Sequence, residues 1–162
     1  MKHMQNLTVS FLLLFVTASW ALESDRKQKI ILDGGGCIQR AKLGQTECPK
    51  GLVIKQGSMT IKAKYGLIDH KDKGVQSIKM TGAPAHFEQK MESGELMVIL
   101  ANQMDYVKKD EKIYLKGDVK ITSDMGVTTG QEMEINLLTQ EISSLSENPD
   151  QQFHMEIVPD ND

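Results

Sequence analysis

Short segments in which apolar and polar residues alternate recur along almost the whole chain after its first twenty-one residues. Met59–Lys64 alternates without a break, and so do Ile113–Lys116 and Val119–Thr122. A period of two is typical of β-strands that bury one face, and turns rich in Gly, Asp, Asn and Lys separate the segments. The longer period of an amphipathic helix is not sustained over three turns anywhere in this part. These patterns predict an all-β fold.

The predicted strands form an internal repeat. Gly51, Gly82 and Gly117 lie 31 and 35 residues apart, and each opens a unit of three or four strands with a charged turn. A single unit cannot bury its apolar face, whereas stacked units bury it together. The repeat therefore predicts an elongated sheet sandwich or an open roll. Within the ambiguous segment Glu95–Tyr106, Leu96–Ala101 fits a buried helical turn or a fully covered strand, and its place in the repeat favours the strand.

Length and charge limit the class of protein. The chain has 162 residues, enough for one ordinary domain and too few for two large ones. Its 22 acidic residues exceed its 19 Lys and Arg residues, and the net charge of −3 argues against a nucleic-acid-binding protein. An apolar content of 40% argues against a disordered chain. A single globular domain remains.

The N-terminus has the pattern of a secretory signal peptide. A short basic start precedes the apolar segment Leu7–Trp20, and Ser19 and Ala21 are small residues at the positions that signal peptidase recognises. We expect cleavage after Ala21, a single domain over residues 22–159 and an acidic tail over residues 160–162. The alternative is an uncleaved membrane anchor, for which the apolar segment is short against the roughly 20 residues that a bilayer requires.

Cys37 and Cys48 are the only cysteines of the chain, and export would carry them into an oxidising compartment. They lie symmetrically about Lys42–Leu43, next to Gly44, as expected for a disulfide across a β-hairpin. An intramolecular disulfide is therefore the favoured interpretation, with an intermolecular bridge or two free thiols as alternatives. Their spacing excludes a CxxC redox pair, and a zinc site would need two more ligands.

The polar residues offer no convergent catalytic set. His70, His86 and His154 are isolated from one another in the sequence, without the spacing of a metal site. Gly34–Gly36 lacks the Lys-Ser/Thr pair that a phosphate-binding loop requires. We predict no catalytic residues, no metal site and no cofactor, and we expect that the protein is not an enzyme.

The apolar residues at alternate strand positions, whose side chains face the same side of the sheet, are a second candidate for function. Most are expected to form a hydrophobic core, and part of that interior is a candidate site for an apolar ligand. Ten methionines, eight of them after Ala21, and few aromatic residues suit a soft, adaptable lining. The residues of this parity are Leu52, Ile54, Met59, Ile61, Ala63, Ile68, Ile78, Met80, Ala85, Phe87, Met104, Tyr106, Ile113, Leu115, Val119, Ile121, Met133, Ile135 and Leu145.

Several segments resemble the LptA/OstA-type periplasmic lipopolysaccharide-transport proteins. The resemblance runs from about Ile30 to Pro159, and the order and spacing of its segments are more specific than any one of them. It rests on Lys55–Gly57, Gly82–Gln89, Ala101–Tyr106, Leu115–Val119 and Met155–Pro159. Two features depart from the family pattern: the cysteine pair is not general, and Leu96–Leu100 is more apolar than the equivalent strand usually is.

The resemblance implies about sixteen antiparallel strands in a twisted, V-shaped open β-jelly roll. It also implies a non-catalytic periplasmic carrier that shelters lipid A acyl chains and passes lipopolysaccharide from the inner to the outer membrane. Protomers are expected to join head to tail and to contact inner-membrane LptC-like and outer-membrane LptD-like components through edge strands at Lys29–Leu32 and His154–Val158. The alternatives are a membrane-anchored LptC-like component or a structural β-repeat module without a ligand.

By the same resemblance, Phe87 and Tyr106 line the lipid groove, and Ile30 lies near its N-terminal end. Exposing acyl chains to water costs about 0.8 kcal/mol per CH₂, so a groove has only to cover the chains while the sugars stay hydrated. Together with the apolar parity, this gives eight candidate residues of the lipid A groove: Ile30, Ile54, Ile61, Phe87, Met104, Tyr106, Leu115 and Ile121.

Overall fold

The computed structural model describes residues 23–71, 74–137, 139 and 141–159. The predicted signal peptide and the acidic tail lie outside these residues. The described part contains the four-residue helix α1 (Glu23–Arg26) and twelve strands, and none of its helices is long and apolar enough to cross a membrane. The strands are β1 (Ile31–Gly34), β2 (Ile38–Arg40), β3 (Gln45–Cys48), β4 (Leu52–Gln56), β5 (Met59–Ala63), β6 (Tyr65–Asp69), β7 (Ser77–Lys90), β8 (Leu96–Val107), β9 (Lys112–Ser123), β10 (Gly126–Asn136), β11 (Ile142–Ser144) and β12 (His154–Ile157). Short 3₁₀ helices lie at Ala41–Leu43, Lys108–Asp110 and Pro149–Gln151. The prediction of an all-β fold is confirmed.

The twelve strands form one antiparallel sheet that is folded over into two layers. The long strands β7, β8, β9 and β10 each contribute one segment to each layer. The two halves of β7 pair with β6 and β5, and those of β10 pair with β11 and β12, whereas β8 and β9 keep the same neighbours along their length. We call the order β2-β3-β6-β7-β8-β9-β10-β11 layer I and the order β1-β4-β5-β7-β8-β9-β10-β12 layer II. Each layer has eight strand segments, which agrees with the predicted open roll of about sixteen strands.

The long strands bend where they pass from one layer to the other. The ladder registers shift between Thr81 and Ala85, between Leu100 and Gln103 and between Gly130 and Glu132. Gly117 in β9 has a φ of 78°, which favours glycine, and the following Asp118 has a φ of 49°. At Gly82 in β7, an added Cβ would lie 2.3 Å from the backbone nitrogen of Ala85. The repeat glycines Gly82 and Gly117 therefore lie at bends inside continuous strands, and the expectation that they open separate units is corrected.

Side-chain hydrogen bonds connect the bends of three neighbouring strands. Asn102 Nδ2 in β8 donates to Asp118 Oδ2 in β9 at 3.0 Å. Gln131 Nε2 in β10 donates to the other carboxylate oxygen of Asp118 at 3.4 Å. One aspartate thus joins all three strands along the edge at which the two layers meet.

The hydrophobic core lies between the layers and takes its residues from the inner faces of both. Period-two alternation explains this arrangement, since every second side chain of each strand points inward. Leu145 was expected among the inward residues, but it is 44% exposed because it follows edge strand β11 and lies beyond the layers. Met91, Met97 and Ile99 belong to the core although the parity analysis did not include them.

Cys37 and Cys48 form the predicted intramolecular disulfide. Ile38 pairs with Glu47 in the β2–β3 hairpin, and this register brings the two cysteines opposite each other. Gly44, with a φ of 63°, completes the turn of the hairpin. Cys48 is fully buried, so the disulfide attaches the edge of layer I to the core.

Candidate functional site

The inward side chains of layer II form one row across all eight strand segments. Cross-strand pairing joins each member of the row to the next. Because neighbouring strands lie about 4.8 Å apart, the row is roughly 34 Å long. Thr128 is its one polar member, so the row is an almost continuous apolar strip from edge strand β1 to edge strand β12. Its members are Leu32, Ile54, Ile61, Phe87, Ile99, Ile121, Thr128 and Met155.

Layer I presents two inward rows to this strip. The first consists of Thr46, Ile68, Ile78, Tyr106, Ile113, Ile135 and Ile142. The second consists of Cys48, Gly66, Met80, Met104, Leu115 and Met133. The surfaces that the two layers present to each other are therefore almost entirely apolar.

A cavity of about 440 Å³ lies between the layers. This volume falls within the range of roughly 300–1,000 Å³ that is usual for small-molecule sites. Exposed Gly74 and Lys108 border the cavity, so it reaches the surface at the ends of the strands. Its apolar lining consists of Ile30, Ile54, Met59, Ile61, Val75, Ile78, Met80, Phe87, Ile99, Met104, Tyr106, Ile113 and Leu137.

The structure places the eight predicted groove residues in two groups. Six of them line the cavity, namely Ile30, Ile54, Ile61, Phe87, Met104 and Tyr106. Ile30 is 49% exposed and lies at the opening, whereas Phe87 is 4% exposed and lies inside. Leu115 and Ile121 are each 2% exposed and do not border the cavity, because they pack into the core at β9.

Polar side chains lie at the opening of the cavity. Asp25 of α1 borders it, is 7% exposed and accepts a hydrogen bond from Ser58 Oγ in the β4–β5 turn. Lys108 and Glu111, between β8 and β9, border the cavity on the side of layer I. Gln89, at 9% exposed, also borders the cavity, so the lining is mainly apolar with a few polar side chains. Such a lining suits an amphipathic ligand that places its apolar part inside.

The ionisable groups with shifted pKa values lie on the outer face of layer I, away from the cavity. A hydrogen bond from Arg40, at 2.7 Å, lowers the pKa of Glu47, and a hydrogen bond from Tyr65 lowers it further. Burial raises the pKa of Tyr65, and its bond to Glu47 adds to this shift. Hydrogen bonds to glutamates likewise raise the pKa values of two lysines, in the cross-strand pairs Lys112–Glu134 at 2.7 Å and Lys116–Glu132 at 2.8 Å.

These ion pairs connect strands, and none of their residues borders the cavity. Within the described residues, no group of three or more His, Cys, Asp or Glu side chains is placed to hold a metal ion. The interior therefore has the chemistry of a binding site for apolar groups.

Several residues that border the cavity were not identified from the sequence, and Ile99 and Asp25 are two of them. Ile99 lines the cavity beside Phe87, but Leu96–Leu100 is apolar on both sides and gives no clear parity. The signal that identifies Ile99 is the pairing of β8 with β7 in register. Asp25 follows the predicted signal peptide closely, and nothing in its local sequence indicates a position at the cavity.

Comparison with known proteins identifies the family. Residues 50–141, more than half of the chain, match the model of the LptA/(LptD N-terminal domain) LPS transport protein family. The chain belongs to this family. The matched residues include β4 to β10 and most of the cavity lining. No curated protein matches the chain.

A solved structure shares the fold of this family member. It is the crystal structure of LptH, described as the LptA homologous periplasmic component of the conserved lipopolysaccharide transport device from Pseudomonas aeruginosa. The two chains superpose with a TM-score of 0.74 at 18% sequence identity, over 84% of this chain and 99% of LptH. The likeness at this identity concerns the β-jelly-roll fold.

Proposed function

We propose that this protein is a periplasmic lipopolysaccharide carrier that shelters lipid A acyl chains and passes lipopolysaccharide from the inner to the outer membrane. Its membership of an LPS transport family and the periplasmic homologue LptH support this role. The observation that carries the proposal is the apolar cavity between the two layers, with polar groups at its opening. Acyl chains would lie inside while the sugars remain in water, and no covalent step is needed.

The energetics of acyl chains in water explain why a carrier is needed. Exposure costs about 0.8 kcal/mol per CH₂, so one chain of a dozen carbons costs roughly 10 kcal/mol. A cavity lined by Ile54, Ile61 and Phe87 removes much of that cost. Met59 and Met104 add flexible, unbranched side chains to the lining, which lets the space adapt to chains of different shape.

Edge strands β1 and β12 are the proposed contacts with neighbouring components. Both belong to layer II, at its opposite ends, and each carries an exposed isoleucine: Ile31 is 54% exposed and Ile157 is 72% exposed. Strand addition at either edge would extend layer II and its inward apolar row into the next molecule. That molecule would be a second copy, an LptC-like component at the inner membrane or an LptD-like component at the outer membrane.

Light scattering tests the head-to-tail contact. Wild-type protein is expected to form longer assemblies as its concentration rises. Ile31→Lys and Ile157→Lys, each made alone, place a charge at the joint and should shift assembly to higher concentration. A wild-type protein that stays monomeric at high concentration would contradict this contact.

Photo-crosslinking in cells tests the lipid site directly. A crosslinking residue at Phe87 or Tyr106 should capture lipopolysaccharide, because both positions border the cavity. The matched control is Lys79, an exposed position on the outer face of layer I, where we expect no adduct. Absence of adducts at Phe87 and Tyr106 in folded protein, beside a working positive control, would exclude the cavity as the lipid site.

The membrane-anchored LptC-like alternative rests on the apolar segment Leu7–Trp20. N-terminal sequencing of the exported protein separates the two possibilities. A mature chain that starts after Ala21 supports the free carrier with a single domain over residues 22–159, whereas retention of residues 1–21 supports the anchored component. Mass spectrometry of co-purifying lipid distinguishes both from a structural module without a ligand.

A further inference from the structure

The outer face of layer II carries four exposed lysines on four of five neighbouring strands of the layer. They are Lys55 in β4, Lys62 in β5, Lys90 in β7 and Lys120 in β9. With strands about 4.8 Å apart, the lysines spread over roughly 19 Å of the sheet. None of them forms an ion pair with another of the described residues.

Acidic residues are scarce on this face. On strands β4, β5, β7, β8 and β9 of layer II, Glu88 is the one carboxylate among the outward positions that the structure describes, and it lies 3.9 Å from His86. Asp33 and Glu156 are confined to edge strands β1 and β12. The part of this face formed by β4, β5, β7, β8 and β9 is therefore cationic, although the whole chain has a net charge of −3.

The outer face of layer I differs from that of layer II in the pairing of its charges. Three of its cations are matched by glutamates on adjacent strands, in the pairs Arg40–Glu47, Lys112–Glu134 and Lys116–Glu132. Lys79 lies directly opposite Asp105 in the β7–β8 ladder. Three cations of layer I are thus paired within the protein, whereas the four lysines of layer II form no ion pair with the described residues.

An apolar stripe accompanies the lysines of layer II. Met97 and Ile99 point into the core, so Leu96, Val98 and Leu100 lie on the outer face. Leu96 is 53% exposed, and the other two are partly exposed. This arrangement explains why residues 96–100 are apolar throughout: one half of the segment fills the interior and the other half forms the stripe between β7 and β9.

We propose that the outer face of layer II docks onto an anionic lipid surface. The four lysines would contact lipid phosphates, and the stripe of Leu96, Val98 and Leu100 would enter the headgroup region. Nucleic-acid sites rely on arginine and on aromatic stacking, and the outward positions described on these strands hold neither. The inference goes beyond carriage of lipopolysaccharide, since none of these residues borders the cavity.

Vesicle flotation tests the docking surface. Protein purified from the periplasm is expected to float with vesicles of phosphatidylcholine and phosphatidylglycerol, and not with vesicles of phosphatidylcholine alone. Binding should fall as salt is raised, because it depends on unscreened charge. The double variant Lys62→Glu/Lys120→Glu should lower the vesicle partition coefficient by at least about tenfold, given the contribution expected of each lysine at an anionic surface.

The matched control is Lys42→Glu/Lys79→Glu, which makes the same charge change at exposed positions of the β2–β3 turn and of layer I. It should keep partitioning within about twofold of wild type, since nearby charges dominate at physiological salt. Leu100→Thr should weaken binding without changing its salt dependence. Equal loss of vesicle binding in both double variants would show that only the net charge of the protein matters, which would contradict a specific docking face. Absence of wild-type binding to vesicles with phosphatidylglycerol would overturn the proposal, and it would do so even if the face bound an acidic protein.

Crosslinking of lipopolysaccharide at Tyr106 in the Lys62→Glu/Lys120→Glu background separates this proposal from the carrier function. Retained crosslinking with lost flotation shows that the docking face acts independently of the cavity. Urea denaturation of each variant verifies that the fold is intact.

Discussion

The interior between the two layers is hollow in one region and solid in another. Ile61 and Phe87, on β5 and β7, border the cavity. Val119 and Ile121 on β9 and Met133 on β10 are at most 2% exposed and do not border it. Ile61 and Ile121 nevertheless belong to the same inward row of layer II, three strand pairings apart.

The comparison shows that residue type does not distinguish core from site in this fold. Isoleucine, methionine and valine occur at alternate positions in both regions, and the cavity borders only one of them. Gly130 contributes to close packing at the solid end, since a Cβ there would lie 3.0 Å from Met133 Sδ. Which part of the interior is hollow is thus a property of the assembled layers, which only the three-dimensional structure reveals.

Truncation of the two matched isoleucines should give the largest difference between the regions. Ile121→Ala is expected to lower the free energy of unfolding by about 3–5 kcal/mol, because it leaves a void in packed surroundings. Ile61→Ala should cost at least about 1 kcal/mol less, since part of its side chain already faces empty space. Urea denaturation measures both values.

Lipid binding should rank the same two variants in the opposite order, with the larger effect at Ile61. Ile61→Ala should alter the crosslinking of lipopolysaccharide at Tyr106, whereas Ile121→Ala should leave it unchanged per folded molecule. Equal destabilisation by the two variants would mean that the cavity wall packs as tightly as the core.

Enlargement of the same two side chains should also distinguish the hollow region from the solid region. Ile121→Phe overpacks the solid region and should cost about 1–3 kcal/mol of stability. Ile61→Phe extends into the cavity and should change stability less, while it blocks acyl chains and reduces lipopolysaccharide crosslinking at Tyr106. A variant Ile61→Phe that binds lipid normally would place the acyl chains elsewhere.

Much of the fold followed from the sequence because strand parity and turn residues are local signals. The alternation in Met59–Lys64 and Ile113–Lys116 predicted strands that the structure contains. The hairpin between Cys37 and Cys48 was also predictable, since an oxidised pair across a turn needs only local geometry. The bends at Gly82 and Gly117 were misread as unit boundaries, because a glycine inside a strand looks the same as a glycine between strands.

The site was harder to derive because a bulge changes which parity faces inward. In β8, Met97 and Ile99 point inward before the bend, and Met104 points inward after it. Extending the parity of Met104 back along the strand would place Leu100 inside, which is the opposite of what the structure shows. Leu115 and Ile121 satisfied every sequence criterion, yet both are buried in the core and neither borders the cavity.

The smallest predicted effect concerns Glu47, which lies outside the interior. It tests whether variants of the hollow and of the solid region respond equally to the same distant substitution. Glu47 has a pKa below its ordinary value of 4.5 because Arg40 and Tyr65 donate hydrogen bonds to it. Ionised Glu47 therefore stabilises the fold above that pH, and its contribution is lost as pH falls through the lowered pKa. Glu47→Gln should lower Tm slightly at neutral pH, and the difference from wild type should vanish well below pH 4.5.

The same substitution in the Ile61→Ala and Ile121→Ala backgrounds compares its effect on Tm between the two regions. Glu47 points to the outer face of layer I, whereas both isoleucines point into the core from layer II, so its effect on Tm should be the same in both. A pH-independent effect of Glu47→Gln would show that its hydrogen bonds matter and its charge does not. An effect that differs between the two backgrounds would show that the spacing of the layers responds to their outer charges.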